Sequence, residues 1–467
     1  PFAHTKHRDC DVTKEAPMTE HERNLTDLDI ECLWHPLTQH RDIAAAPPRR
    51  IDHAKGCYIY DEDGNKWLDA VSGLWCVNVG HGREELAEVA REQMTKLAYS
   101  PMTMSHEPAI RLAAKIVDLL GYPAQVYFTN SGSEANEAAF KMARQYHAQS
   151  GSGAGRFKII ARHRGYHGNT MGALSATGQW ERRAGYEPLA PGFLFTDAPD
   201  PYRDSTDCAD KLERRILQEG SESVAAVIME PIIAGGGVLI PPDDYLPKVR
   251  EICTRHGVLL ILDEVVTGFG RTGAMFAHQH WGVEPDIITF AKGIASGYMP
   301  LAAVAAKREI FEAFNGDPKS GRHFRHVNTY GGHPVATAVG LRNIEIIERE
   351  QLVERANVMG KQLLDSVRRM ADHPNIGDIR GKGLLVGIEL VADKETKQPL
   401  DSDIIASIVA GCAANGVIIG RTTPTSPGQA NILIMAPPFI VTQKEVDLLV
   451  DVTEAAIIGA FAKIEAA

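Results

Sequence analysis

No run of about eighteen consecutive apolar residues occurs in the 467-residue sequence, so no membrane-spanning helix is expected. Dense Lys/Arg clusters are missing too. With 49 basic against 60 acidic residues and a net charge of −11, a nucleic-acid partner is disfavoured, because a polyanion would be repelled. The seven cysteines are scattered and form no CxxC pair, which excludes a zinc ribbon and a disulfide frame and fits a reducing compartment. No GxxxxGK[ST] loop occurs, and the glycine-rich stretch Gly151–Gly155 precedes a strand-like run, the wrong order for a dinucleotide fingerprint. It reads as a loop. Residues Pro1 to Pro17 are polar without the apolar core of a signal peptide; with Met18 as a candidate start, residues 1–28 read as a tail, and a cytoplasmic location is expected. There is no fixed-period repeat and no low-complexity tract.

What the chain does have is alternation. Short apolar runs at Gln125–Thr129, Phe157–Ala161, Val224–Met229, Val258–Asp263, Asp286–Ala291 and Leu301–Ala306 are separated by helical stretches. Their continuity suits strands buried on both faces of a mainly parallel sheet, which predicts an α/β fold. Helices are predicted at Glu134–Gln149, at Tyr245–His256 before Gly257, and over Ala336–Ala371. The expected organisation is a segment 29–74 with an Asp63-Gly64 hairpin turn, a large domain 75–335 and a smaller α/β domain 336–467.

In an open parallel sheet, ligands sit beyond the carboxyl ends of the strands. Following each predicted strand, those ends carry Asn130-Ser131-Gly132-Ser133, then His163 to His167, then Glu230, Asp263-Glu264 and Lys292. Ser131-Gly132-Ser133 opens a helix; its free N–H groups and hydroxyls suit a phosphate, although Ser131 taken alone reads first as an N-cap. Lys292 lies among apolar residues and glycines, where an amine has a lowered pKa and becomes a nucleophile toward an aldehyde; in isolation it reads as a strand-end lysine reaching water. Asp263 ends an apolar strand and needs a partner, such as a protonated pyridine nitrogen, unless it only caps a turn. Tyr166 is an aromatic placed to stack on a planar ring.

Six ordered motifs, FTNSGSEANEAAFKMAR, RGYHGNT, MEPIIAGGG, LILDEVVTGFGRTG, FAKGIASGYMP and NTYGGHPVA, resemble the class III pyridoxal-phosphate aminotransferases of fold type I. The resemblance runs from about Asp29 to Ala460. It implies a pyridoxal 5'-phosphate cofactor held as a Schiff base by Lys292, with Asp263 on the ring nitrogen. Val265 and Tyr166 would sandwich the ring, and Ser131, Gly132 and Ser133 would hold the phosphate, joined by Thr329 from a second subunit. His167 and Glu230 would also face the cofactor, Glu230 near the ring hydroxyl or the substrate end. A homodimer, or a dimer of dimers with shared sites, is implied.

Substrate signals are thinner. Trp75 in SGLWCVNVGHG matches the pocket tryptophan of pyruvate-using ω-transaminases, and also reads as a core tryptophan. Relatives that use glutamate carry an arginine two places before Ala-Pro-Pro; Ile434 stands there. Arg421, in VIIGRTTPTSPGQ, aligns instead with a mobile arginine that could pair with a carboxylate or sulfonate. LWHPLTQH, which contains Leu37, and DAVSGLWCVNVGHGREEL, APDPYRDSTDCAD and NIEIIERE resemble the taurine-using, pyruvate-dependent branch. Trp75, Leu37, Tyr166 and Arg421 are therefore the expected substrate contacts. Some members of that branch have lysine at the Arg421 position, which keeps broad ω-amine or β-alanine:pyruvate activity open. A same-fold mutase or racemase, and a binding protein that has lost its chemistry, are the remaining rivals.

Overall fold

The computed structural model describes residues 24–151, 155–203, 205, 207–423 and 429–465, with side chains to residue 462. The tail before residue 24 and the centre of the Gly151–Gly155 loop lie outside the described residues; a helix, Leu25–Cys32, opens inside the stretch set aside as tail.

Seven strands form the central sheet: β1 (Ala124–Thr129), β2 (Lys158–Arg162), β3 (Phe193–Thr196), β4 (Val224–Met229), β5 (Leu259–Asp263), β6 (Ile287–Phe290) and β7 (Ala302–Lys307). Their order is β1-β7-β6-β5-β4-β2-β3. All are parallel except β7, which runs against both neighbours. Every residue of β4 and β5 is buried because both faces are covered. Side chains alternate between faces. Ala226, Ile228 and Ile261 pack under the helix α1 (Gly132–Gln149) with Ala135, Ala139 and Met142. Val227, Met229, Leu260 and Leu262 point the other way, onto Leu246, Val249 and Cys253 of the helix α2 (Tyr245–His256).

The six predicted runs all became strands, with ends shifted by a residue or so. Strand β3 was not anticipated; it is a four-residue edge strand with one face half-buried, too short to give a continuous apolar run. Ala336–Ala371 is two helices, α3 (Pro334–Arg349) and α4 (Leu352–Arg368), broken where Gln351 adopts φ 52°. Buried Ile346 and Ile347 before the break and Leu352 and Ala356 after it keep the apolar rhythm going, which hides the turn in the sequence.

The C-terminal part builds an antiparallel sheet from Ile376–Gly381, Val386–Asp393, Ile432–Met435 and Gly420–Arg421. The N-terminal meander Ile51–Lys55, Tyr58–Asp61 and Lys66–Asp69 is extended by Val417–Ile418. Its Asp63-Gly64 turn forms as expected, with Gly64 at φ 81° and the Asp61 carboxylate accepting from the Asn65 amide at 2.8 Å. Trp67 Nε1 donates to the Ala413 carbonyl at 2.8 Å. No described helix is long and apolar enough to cross a membrane.

One buried cation fastens these parts. Arg271 is fully buried and donates to the Leu384 and Pro437 carbonyls at 2.9 and 2.7 Å, to Asn78 Oδ1 at 2.8 Å and to Ser72 Oγ at 3.2 Å. Burial pushes its pKa down to about 9, opposed by Cys76 and Asp69. Replacing it with methionine strands four acceptors in the interior. Arg271→Met is expected to cost about 3 kcal/mol, seen as a lower thermal-unfolding midpoint; an unchanged midpoint would show that these bonds contribute nothing net.

Candidate active site

Four neighbouring strands set the site. In sheet order, β6, β5, β4 and β2 deliver Lys292, Asp263, Glu230 and the Tyr166–His167 turn at their carboxyl ends. Adjacent strands lie roughly 5 Å apart, so these four groups form a row within about 15 Å.

Asp263, 3% exposed, is held by three donors. Its Oδ2 accepts from Asn136 Nδ2 and His167 Nδ1, each at 2.8 Å, and Oδ1 accepts from the Val265 amide at 3.0 Å. With Oδ2 accepting from it, Nδ1 is the ring nitrogen that carries the imidazole proton. His167 Nε2 is buried without a partner. Asn136 is itself pinned, donating to the His167 carbonyl and accepting from Thr289 Oγ1 at 2.9 Å. Glu264, the adjacent carboxylate, is consumed structurally by Thr267, Ala277 and His278.

Lys292 leaves β6 with φ 47°, a left-handed conformation that turns its side chain across the strand ends. Its Nζ stands 5.2 Å above the centre of the Trp75 ring. Burial holds this amine below the ordinary lysine pKa, opposed by the negative charge of Asp263 and, less strongly, Cys76 and Glu230; the cation of Arg182 adds to the lowering. Glu230 is buried, and burial raises its pKa. Its two oxygens accept from the Tyr166 and Ala234 amides at 3.0 Å each, tying the two loops together.

Across the row, Ser131 caps α1, its Oγ accepting from the Glu134 amide at 3.3 Å. Ser133 Oγ donates to Asn169 Oδ1 at 3.0 Å and accepts from the Asn169 amide at 3.1 Å. Between them, a Cβ on Gly132 would sit 3.0 Å from a Val265 methyl, so only glycine keeps this space open. A helix start with open backbone beside Val265, a carboxylate with a fixed donor shell, and a pKa-lowered amine together fit a planar aldehyde-bearing ring with a protonated nitrogen at Asp263 and a phosphate at α1. The residues present match that group.

The expected substrate residues divide. Trp75 joins the site through Lys292 and packs against the position of Gly235. Tyr166 joins through Glu230, with the Arg182 guanidinium 5.0 Å above its ring. Leu37 is 85% exposed, at φ 56°, and Arg421 is exposed, its Nη1 donating to the Ser402 carbonyl at 3.3 Å. Thr329 is exposed, its carbonyl accepting from Tyr99 Oη at 2.9 Å. No hydrogen bond or ring contact joins these three to the buried row among the described residues. Ile434, where a fixed arginine could have stood, is sealed in the core. Sequence reasoning passed over Asn136, Gln179 and Arg182. Asn136 had one available signal, lying one helical turn beyond Gly132 on the same face of α1.

Residues 41–457 match the family described as aminotransferase class-III. The uncharacterized aminotransferase YhxA of Bacillus subtilis is 51% identical, over 92% of this chain and 95% of the relative. The taurine–pyruvate aminotransferase of Bilophila wadsworthia is 43% identical, over 93% of this chain and 96% of the relative. The crystal structure of a Bacillus anthracis aminotransferase superposes with a TM-score of 0.91 at 49% identity, covering 95% of this chain and all of that one.

Proposed function

Because the chain belongs to the class III aminotransferases, pyridoxal-phosphate enzymes of fold type I, we propose that it moves an amino group from an ω-amine, taurine being favoured, to pyruvate. The observation that carries the chemistry is the adjacency of Lys292 and Asp263 at the ends of paired strands β6 and β5, facing the open start of α1. Pyridoxal phosphate, when bound, supplies an aldehyde carbon and a ring that accepts electrons.

The residues of the chain do the rest. Lys292 would hold the cofactor through Nζ, and the same amine would take the proton from the donor carbon that bears the nitrogen and return it later. Asp263, held in place by Asn136, His167 and the Val265 amide, would pair with the ring nitrogen. Ser131, Gly132 and Ser133 would bind the phosphate oxygens, and Val265 and Tyr166 would enclose the ring. Thr329 of a second copy would complete the phosphate shell, which would make the working unit at least a homodimer. The keto acid reverses these proton movements in a second half-reaction, giving ping-pong kinetics.

Pyruvate as acceptor is supported by Ile434, a buried apolar residue where relatives that use glutamate carry an arginine that clamps its α-carboxylate. Taurine as donor is supported by the 43% identity to a taurine–pyruvate aminotransferase. Arg421 binds the pyruvate carboxylate after releasing the Ser402 carbonyl. Arg421→Ala is expected to raise the KM for pyruvate about tenfold while that for a neutral amine moves little; equal shifts in both would remove Arg421 from this role. The reading as a whole is tested with taurine, β-alanine, putrescine and 1-phenylethylamine, each paired with pyruvate and with 2-oxoglutarate. Preference for 2-oxoglutarate, or product formation without any keto acid, would overturn it.

A further inference from the structure

We propose that Arg182 reads the acid group of the amino donor, its guanidinium donating to a carboxylate or sulfonate on a short ω-amine. The proposal rests on the transaminase reading and deepens it by naming what selects the donor.

Arg182 lies in the short helix Trp180–Arg183, in a stretch with no recognised motif. Two contacts of its own, and the packing of Gln179 beside Trp75, place it on the wall of the site. Its guanidinium lies 5.0 Å above the Tyr166 ring. Its Nε donates to Gln179 Oε1 at 3.0 Å, while the other end of that buried amide donates to the Arg164 carbonyl at 3.0 Å. A Cβ on Gly235 would meet the Trp75 ring at 3.6 Å and Gln179 Nε2 at 3.9 Å, so Gln179 and Trp75 meet across one glycine. Lys292 Nζ stands on that same tryptophan ring. The wall therefore runs continuously from the reacting amine through Trp75 and Gln179 to Arg182 and back over Tyr166.

The remaining donors of Arg182 are what a ligand would use. Neither Nη atom has a hydrogen-bond partner among the described residues. Its neighbours are committed: Arg164 holds Asp200 at 2.6 Å and Arg183 holds Glu187 at 3.0 Å. Tethering at Nε fixes the plane of the fork and presents the two Nη groups side by side, a geometry that matches the oxygens of a carboxylate or sulfonate. Its charge also reaches Lys292, adding a little to the lowering that burial imposes on that amine. Stacking on Tyr166 and attachment to Gln179 leave the cation half-buried, where an ion pair is weakened less by water than at an open surface.

The test compares donors of similar length that differ at the far end, taurine and β-alanine against propylamine, with pyruvate as acceptor. Arg182→Ala is expected to lower kcat/KM for both acids roughly ten- to a hundredfold and for propylamine by less than about threefold, with Arg182→Lys recovering part of the loss. A second measurement needs no turnover. Ethanesulfonate, which lacks the amine, should perturb the visible absorbance of the wild-type holoenzyme on binding and bind at least tenfold more weakly to Arg182→Ala. Parallel losses for acidic and neutral donors would make Arg182 a mere support for Tyr166 and overturn the proposal, as would ethanesulfonate binding that ignores the substitution or is absent from the wild type. Failure of the transaminase reading looks different: the wild type would not use pyruvate, whereas ethanesulfonate binding would still report on Arg182.

Discussion

Lys292→Ala is expected to leave the fold intact and to reduce amino transfer by roughly four orders of magnitude. The side chain is half-buried, and removing it opens space beside the Trp75 ring without disturbing any described hydrogen bond. The loss is therefore chemical, because no other amine takes part in this row of strand ends. Thermal unfolding within a few degrees of the wild type, together with loss of the visible band expected of a cofactor linked to Lys292, would separate that loss from misfolding. Residual turnover above about one per cent would mean that another group moves the proton. The pH dependence carries a sign as well. Because burial lowers the Lys292 pKa, the neutral amine is present at lower pH than for an exposed lysine, and turnover limited by that amine should fall as pH drops through the lowered value. A rate that rises on acidification would contradict this.

Asp263→Asn is the second large effect, expected to lower kcat by about a thousandfold. Charge would be lost from the position proposed to pair with the ring nitrogen, and the replacement amide also fits badly. Oδ2 faces two N–H donors and Oδ1 faces a third, so in either orientation the NH2 group of asparagine meets a donor. One such mismatch costs roughly 1–3 kcal/mol, and the cofactor should dissociate more readily on gel filtration. Near-normal turnover would refute the assignment of Asp263 to the ring nitrogen.

The parts of this molecule that could be read from the sequence share a physical origin. Strands such as Val224–Met229 are covered on both faces, so their apolar run is continuous and their ends are sharp. Lys292, Asp263 and Glu230 follow such runs directly, and the topology does nothing but line them up. Direction is another matter. Leu301–Ala306 reads like its parallel neighbours, yet β7 is antiparallel, because an apolar run does not record which way it points. The break at Gln351 is equally silent, since the buried stripe passes through it. Asn136 and Arg182 contact side chains outside their own turns of helix, Asp263 and Tyr166, and nothing in their local spacing announces those contacts. Leu37, Thr329 and Arg421 were singled out by resemblance, and their contacts within one copy of the chain do not join them to the buried row.

The short strand Val417–Ile418, which pairs with Lys66–Asp69, has a consequence during synthesis. Trp67 is buried and hydrogen-bonded to Ala413, 346 positions further along. While the ribosome is still translating the intervening chain, the emerged meander presents an unpaired strand edge and an uncovered tryptophan, the kind of surface that recruits chaperones or draws nascent chains into aggregates. Slowing translation after the first hundred codons should therefore lower soluble yield more than an equal slowing near the terminus.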